Sequence, residues 1–363
     1  MARIQRFMPH LFEPLKLRSV TFPHRIVVSP MCQYSSHDGH AGDWHLVHLG
    51  SRAVGRAAAV IAEASAVTPD GRISPGDLGI WSDEHIEGLA RVFRFVSSQG
   101  SIPGIQLAHA GRKASTAAPW LGGQPLAPEE GGWTPVLAPS ALAFDNGYQV
   151  PQAMSHEQIA SVTYAFASAA RRALEAGAKL VEIHAAHGYL IHEFLSPLSN
   201  QRDDEYGGGF DGRTRFLREV VEAVRRIWPD DLPLLVRISQ TDWVEGGWTL
   251  DDSVALARMI QPLGVDLVDC SSGGNVATAK IPMGAGYQVP GAERIRRQAG
   301  VPTGAVGMIT EAMQADQIIR LGQADLVVMA RQFLRDPYFP LHAAAAVHKD
   351  IAWPVQYERA KPL

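Results

Sequence analysis

The sequence predicts a (β/α)8 TIM barrel, and three observations carry that prediction. Short apolar runs alternate with amphipathic segments along the chain, the pattern of parallel strands joined by helices. Eight such units fit into 363 residues, a length suited to this fold. Polar residues gather just past the ends of the apolar runs, where barrels of this kind carry their chemistry.

Leu11 to Phe22 reads as a β-hairpin ahead of the barrel, placed to plug its bottom. Strand one is Arg25 to Ser29, stopped by Pro30, which cannot donate to a ladder. Helix one covers Trp44 to Gly55, strand two Ala58 to Ala64, helix two Asp83 to Gln99, and strand three Ile102 to Leu107. The segment from His109 to Met154 is rich in Pro, Gly and Trp and lacks helical periodicity. A loop that long in a barrel is expected to be a functional lid. Helix three starts at a Ser155/Gln158 capping box and ends at Gly177. Strand four is the run from Leu180 to His184. Phe216, Leu217, Val220, Val221, Val224 and Ile227 then form one helical stripe. Strand five is Leu234 to Ile238, helix five Leu250 to Pro262, strand six Leu267 to Cys270, and a helix lies within Pro290 to Gln298. Strand seven is Thr303 to Val306, helix seven Glu311 to Leu321, and strand eight Leu326 to Met329, with a last helix after Pro337. The whole chain, 1–363, reads as one barrel domain with a tail from about 352 to 363.

Composition narrows the function. The chain carries 33 Lys and Arg against 37 Asp and Glu, a net charge of −4, and its arginines are scattered. No nucleic-acid partner and no membrane is expected from that balance. Two cysteines, Cys32 and Cys270, suggest a reducing compartment and no disulfide framework. Met1 to Lys16 hold no apolar run of signal-peptide length, and a cytoplasmic location is expected.

The strand ends collect a ring of hydrogen-bond donors. His184 and His187 stand three residues apart and Tyr189 follows them. That set suits holding a substrate oxygen and delivering a proton near it. His-x-x-His is also a source of two metal ligands, with His192 and Glu193 as further candidates, although His-Glu-x-x-His is absent. Arg237 lies inside the apolar run Leu234 to Ile238. A charge there needs a partner, either a core carboxylate or a bound ligand. Gly304, Gly307, the Ser271–Gly274 run and Arg331 cluster after strands six to eight, the corner where many barrels bind phosphate. Few acidic groups stand at strand ends, which favours an anionic or carbonyl-rich ligand over a metal. Cys32 is either a nucleophile or a small buried residue.

These residues also stand in motifs. Ser29–Tyr34 (Ser-Pro-Met-Cys-Gln-Tyr), Gln106–Lys113 (Gln-Leu-Ala-His-Ala-Gly-Arg-Lys), Ile183–Pro197 and Asp204–Gly208 (Asp-Glu-Tyr-Gly-Gly) resemble the Old Yellow Enzyme family over nearly the whole chain. The Cys32 and His184/His187 pattern resembles its thermophilic-like bacterial branch of NADPH dehydrogenases and xenobiotic reductases. The resemblance implies bound FMN, NADPH as hydride donor, no metal, and reduction of the C=C bond of small enones, or of nitro compounds. It implies that Ser29, Pro30, Met31 and Cys32 line the flavin, that Ala64 and Gln106 bond its ring, and that Arg237 faces its pyrimidine side. Gly307, Ala330 and Arg331 would hold the phosphate, His184 and His187 the substrate oxygen, and Tyr34 the substrate, with Tyr189 as proton donor. The tail Gln356–Arg359 resembles one that reaches a neighbouring subunit's site. Arg359 is thus a substrate-binding candidate, and a homo-oligomer, dimer or tetramer, is expected. Gly209–Arg213 departs from the family's usual Ser-x-Glu-Asn-Arg.

Overall fold

Every barrel strand reads as a continuous apolar run because each is covered on both faces. The computed structural model, which describes residues 9–362, closes them into one parallel barrel. In chain order the strands are β1 (Ile26–Val28), β2 (Ala59–Ala66), β3 (Ile102–Ala108), β4 (Leu180–Ala185), β5 (Leu234–Ser239), β6 (Leu267–Ser271), β7 (Thr303–Ala305) and β8 (Leu326–Met329). Each pairs with the next, and β8 returns to β1 through Val327↔Ile26 to Met329↔Val28. The helices are α1 (Asp43–Val54), α2 (His85–Ser98), α3 (His156–Glu175), α4 (Leu190–Leu195), α5 (Phe210–Ile227), α6 (Leu250–Ile260), α7 (Val289–Ala299), α8 (Ala312–Arg320), α9 (Arg331–Arg335) and α10 (Phe339–Ala346).

The expected elements are present, most within two residues of their expected bounds. Ser155 caps α3 by accepting the Gln158 N–H at 3.3 Å, and Gln158 returns a bond to the Ser155 N–H at 2.9 Å. The capping box therefore satisfies two donors that the first turn leaves open. Two helices escape the periodic reading. α4 has six residues, all buried, and α9 has five, so neither shows the polar face that periodicity needs. The lid after β3 holds three 3-10 turns and a short parallel pair, Leu137–Ala138 with Gln152–Ala153. Strand β2 runs two residues past its expected end. A register shift between Ala62 and Ala64 puts Glu63 out of the ladder, as a β-bulge does. Glu63 then accepts the N–H of Gln33 at 2.7 Å and fastens the loop after β1.

The N-terminal hairpin pairs Leu15↔Phe22 to Leu17↔Val20. Leu17 and Phe22 pack with Leu180, Leu267, Leu326 and Val328, from three of the barrel strands. The hairpin thus closes the bottom of the barrel and leaves the top for the loops. Gly304 contributes to that interior packing, since a Cβ there would lie 2.9 Å from Val328 Cγ2. The barrel needs it as a small residue, which accounts for it without a phosphate role. Among the described residues no helix is long and apolar enough to cross a membrane.

Phe22 is fully buried in this plug. Phe22→Ala is expected to cost about 3–5 kcal/mol of stability, measured by urea unfolding. A loss under about 1 kcal/mol would mean that the plug is not part of the cooperative core.

Candidate active site

Strand β4 ends at Ala185, and the chain turns through residues 186–189 into α4. His187 takes a left-handed φ of 60° and Gly188 one of 73°. A Cβ at Gly188 would collide with the Gly274 carbonyl, and one at Gly274 would lie 2.7 Å from His187 Cα. The loops after β4 and β6 therefore touch backbone to backbone, which only glycine permits. Ser239 accepts the His187 N–H at 2.9 Å, and His187 Nε2 lies 2.6 Å from Ser271 Oγ.

This turn assembles three rings. His184 stands 5.1 Å from His187 at 81°, and 5.1 Å from Tyr189 at 72°. Burial, then the nearby Arg237 charge, holds both imidazoles well below the usual histidine range. Each is therefore neutral at pH 7 and carries one N–H. Burial, then Cys32 and Tyr34, pushes the Tyr189 phenol well above its ordinary range, so it keeps its proton.

A polar layer runs round the barrel beside these rings. Arg237 pairs in register with His184 on one side and Asp269 on the other. Its Nε is 3.4 Å from Asp269 Oδ2, and its Nη1 donates to Ser29 Oγ at 2.8 Å. Gln106 stands opposite Glu182 and donates to it at 2.8 Å. Arg237 therefore has a core carboxylate as partner, so its charge does not depend on a ligand. Acidic groups do stand deeper in the barrel and its loops, short of the strand ends. Glu63, Asp77, Glu182 and Asp269 are each 3% exposed or less. Burial pushes Glu182 up to about 8. The Asp269 carboxylate adds to this, while Arg237 and Gln106 oppose it.

Arg237, Ser271, Gly307, Ala330 and Arg331 line one cavity of about 270 Å3 at the top of β6 to β8. Arg335 also lines it and no carboxylate does, so its charge suits a phosphate. Gly307 has φ 111°, and a Cβ there would lie 2.6 Å from Gln288 Nε2. Gly273 and Gly274 pack against Ile281 and His187 instead of the cavity.

Burial, then the Asp77 and Glu63 carboxylates, pushes the Cys32 thiol well up. A protonated thiol is a poor nucleophile, so that role falls away. Tyr34 holds a φ of 48°, and the lid residue Trp120 sets its ring edge-on to it at 5.6 Å. Met31 packs on the core, Pro30 follows Ser29 on the rim, and Ala64 is buried just past the Glu63 bulge.

The metal alternative loses its ligands. His192 Nε2 is 3.0 Å from Asp242 Oδ1, and Glu193 accepts the Arg112 N–H at 2.9 Å. Among the described residues, a group with ligand spacing occurs at His156, Asp204 and Glu205, where Arg202 already bonds Asp204 at 2.9 Å. Arg359 is not among the residues brought together. It lies in the 3-10 turn Val355–Ala360 and lines a surface groove with Tyr338, Leu341 and His342.

The residues fit a flavin mononucleotide on three counts. An arginine-lined cavity suits the phosphate, a buried arginine suits an electron-rich ring edge, and Arg237 Nε and His184 Nδ1 are buried without a hydrogen-bond partner.

Comparison with known proteins agrees with that fit. A sequence model of the NADH:flavin oxidoreductase / NADH oxidase family matches residues 10–350. The chain is 50% identical over 351 residues to the NADPH dehydrogenase of Bacillus subtilis, covering 96% of this chain and 98% of that one. It is 49% identical to the NADPH dehydrogenase of a Geobacillus species, with the same coverage. Among solved structures, morphinone reductase superposes with a TM-score of 0.78 at 26% identity, covering 96% of this chain and 92% of that one. The old yellow enzyme homologue from Zymomonas mobilis gives 0.77 at 25% identity, covering 98% and 100%.

The raised pKa of Glu182 has a consequence for stability. An unfolded glutamate ionises near pH 4.3, so between about pH 5 and pH 8 the unfolded chain binds fewer protons than the folded one. Stability of the flavin-free protein should therefore fall as pH rises across that window, and Glu182→Gln should remove part of the slope. Thermal melts in a pH series check this. Parallel slopes for the two proteins would contradict the assignment.

Proposed function

The chain belongs to the NADH:flavin oxidoreductase / NADH oxidase family, the Old Yellow Enzymes, and from that premise we propose that it reduces the C=C bond of α,β-unsaturated carbonyl compounds. It is an FMN-dependent NADPH dehydrogenase. The observation that carries the finer reading is the meeting of two neutral imidazoles and a protonated phenol at 5.1 Å spacing, next to an arginine-lined cavity.

When bound, FMN would supply the chemistry of hydride transfer between NADPH and substrate. The chain's own residues do the rest. Arg331, Ala330 and Gly307 would hold the phosphate. Ser29 to Cys32, Ala64 and Gln106 would line the ring, with Arg237 at its electron-rich edge. Cys32, kept as a neutral thiol, places a polarizable group there and adds no charge.

His184 and His187 then hold the substrate carbonyl oxygen. Negative charge grows on that oxygen as the β-carbon gains its hydride, and two fixed N–H donors meet it. One donor of this kind is worth about 3 kcal/mol. Ser271 donating to His187 Nε2 leaves that ring's proton on Nδ1, free to donate. Because both rings are neutral, they bind the oxygen without surrendering a proton to it. Proton delivery falls to Tyr189. Its O–H bond breaks as the α-carbon C–H bond forms, and solvent returns a proton to the phenolate. Tyr34, edge-on to the lid tryptophan Trp120, forms the substrate-side wall.

Tyr189→Phe is expected to slow enone turnover by about 100-fold while leaving NADPH oxidation by the flavin intact. His184→Ala combined with His187→Ala should raise KM for enones. Both are read by steady-state kinetics with cyclohexenone. Unchanged enone kinetics in the Tyr189 variant would rule out its role as the acid.

A further inference from the structure

One charged side chain faces this cluster and has no part in the scheme above. The 3-10 turn Gly111–Lys113 follows β3, and Glu193 of α4 fastens it by accepting the Arg112 N–H at 2.9 Å. A side chain at Gly111 would collide with the same carboxylate, so the turn is pressed onto α4. From it Lys113 reaches across the β4 and β6 loops. Its Nζ donates to the His187 carbonyl at 2.9 Å and to the Gly274 carbonyl at 3.1 Å. Those carbonyls belong to the two loops that meet at Gly188 and Gly274 without room for a Cβ. The same nitrogen lies 4.9 Å from the centre of the Tyr189 ring and 4.6 Å from that of Phe144 in the lid.

We propose that Lys113 is the positioning residue for the enone half of the reaction, holding His187 in its left-handed turn and keeping one positive charge beside Tyr189 as negative charge moves onto substrate and phenol. Two carbonyl bonds from one ammonium fix the peptide that carries the His187 ring. Without them the left-handed turn has lost a tie to the β6 loop, and the imidazole loses its aim on the substrate oxygen. The cation lies over the Tyr189 ring at a distance where cation–π attraction operates, and it favours the phenolate that proton delivery leaves behind. It also disfavours a second charge on His184 and His187, where its field is one cause of their lowered pKa. The inference rests on the reading of His184, His187 and Tyr189 as substrate-binding and proton-donating groups.

The charged and titratable groups facing Lys113 are Arg112 on its own turn, Tyr189 and Glu193 at and within α4, and His184 and His187 after β4. Burial pulls Lys113 down to about 8, with Glu193 opposing and Arg112 assisting. Burial pushes Glu193 up to about 8, with Arg112 and Lys113 opposing.

The test uses the FMN-loaded enzyme with Lys113→Met, Lys113→Arg and Tyr189→Phe in parallel, following the NADPH step and the cyclohexenone step separately by anaerobic stopped flow. Lys113→Met should slow the enone step about 10- to 100-fold and the NADPH step by much less. Lys113→Arg should restore most of the loss. In the wild type the enone step should slow as pH rises through about 8, where the lysine gives up its charge. That limb should be missing from both Lys113 variants, since methionine has no charge to lose and arginine keeps its own. A limb near pH 8 that persists in either variant would assign the titration to Glu193 and overturn the proposal. So would an unchanged enone step in Lys113→Met beside an impaired Tyr189→Phe. If Tyr189→Phe is itself unimpaired, the underlying reading of the site fails instead. Should Lys113→Met not fold, the pH profile of Lys113→Arg still decides.

Discussion

Arg237 is the charge around which the top of this barrel is built. A guanidinium inside a strand cannot stay there uncompensated, and its neighbours answer it. Asp269 meets it from β6 at 3.4 Å, and Ser29 accepts from it at 2.8 Å across the barrel. Glu182 lies in the same layer, bonded to Gln106. Burial shifts Glu182 up toward neutrality, Asp269 adds to this, and the one shared cation opposes it only in part. Burial keeps both imidazoles uncharged, and the same cation reinforces it. A positively charged floor and neutral donors thus follow from one buried charge and the burial around it, while burial beside Cys32 and Tyr34 keeps the phenol protonated. This is the arrangement in which electrostatic stabilisation is strongest, because low polarity magnifies each fixed dipole.

A second constraint is backbone proximity. The loops after β4 and β6 approach so closely that Gly188 and Gly274 leave no room for a Cβ, and His187 adopts a positive φ between them. Non-glycine residues enter that region at a cost of roughly 1–2 kcal/mol, held there by their surroundings. Here the hydroxyls of Ser239 and Ser271 and the ammonium of Lys113 grip the turn from three directions. The position of His187 is therefore a property of three loops together.

That division explains what could be read from the sequence. The barrel was legible because its signal is local: apolar runs, amphipathic stripes, a capping box at Ser155. The cluster of His184, His187 and Tyr189 was legible because one turn contributes all three. The carboxylates were not. Glu182 and Asp269 sit inside apolar runs, and only strand register reveals that Asp269 faces Arg237 and Glu182 faces Gln106. An acid in the middle of a buried strand is the available signal, and it stands away from the strand ends where barrel chemistry is expected. Lys113 was hidden for the opposite reason. It begins a lid without periodicity, and its partners lie on loops far along the chain. In the sequence, the glycines after strands six to eight form one apparent phosphate cluster. The structure divides them between Gly307 at the cavity, Gly304 in the packed interior, and Gly273 and Gly274 against other loops.

The account rests on a barrel top built to hold FMN, which would supply hydride transfer between NADPH and an enone. The most direct measurement is the visible spectrum of the purified protein, recorded before and after anaerobic NADPH and again after cyclohexenone. The account predicts a flavin band that bleaches with NADPH and returns with the enone. A protein that stays colourless after added FMN, or a bleached band that the enone leaves unchanged, would contradict it.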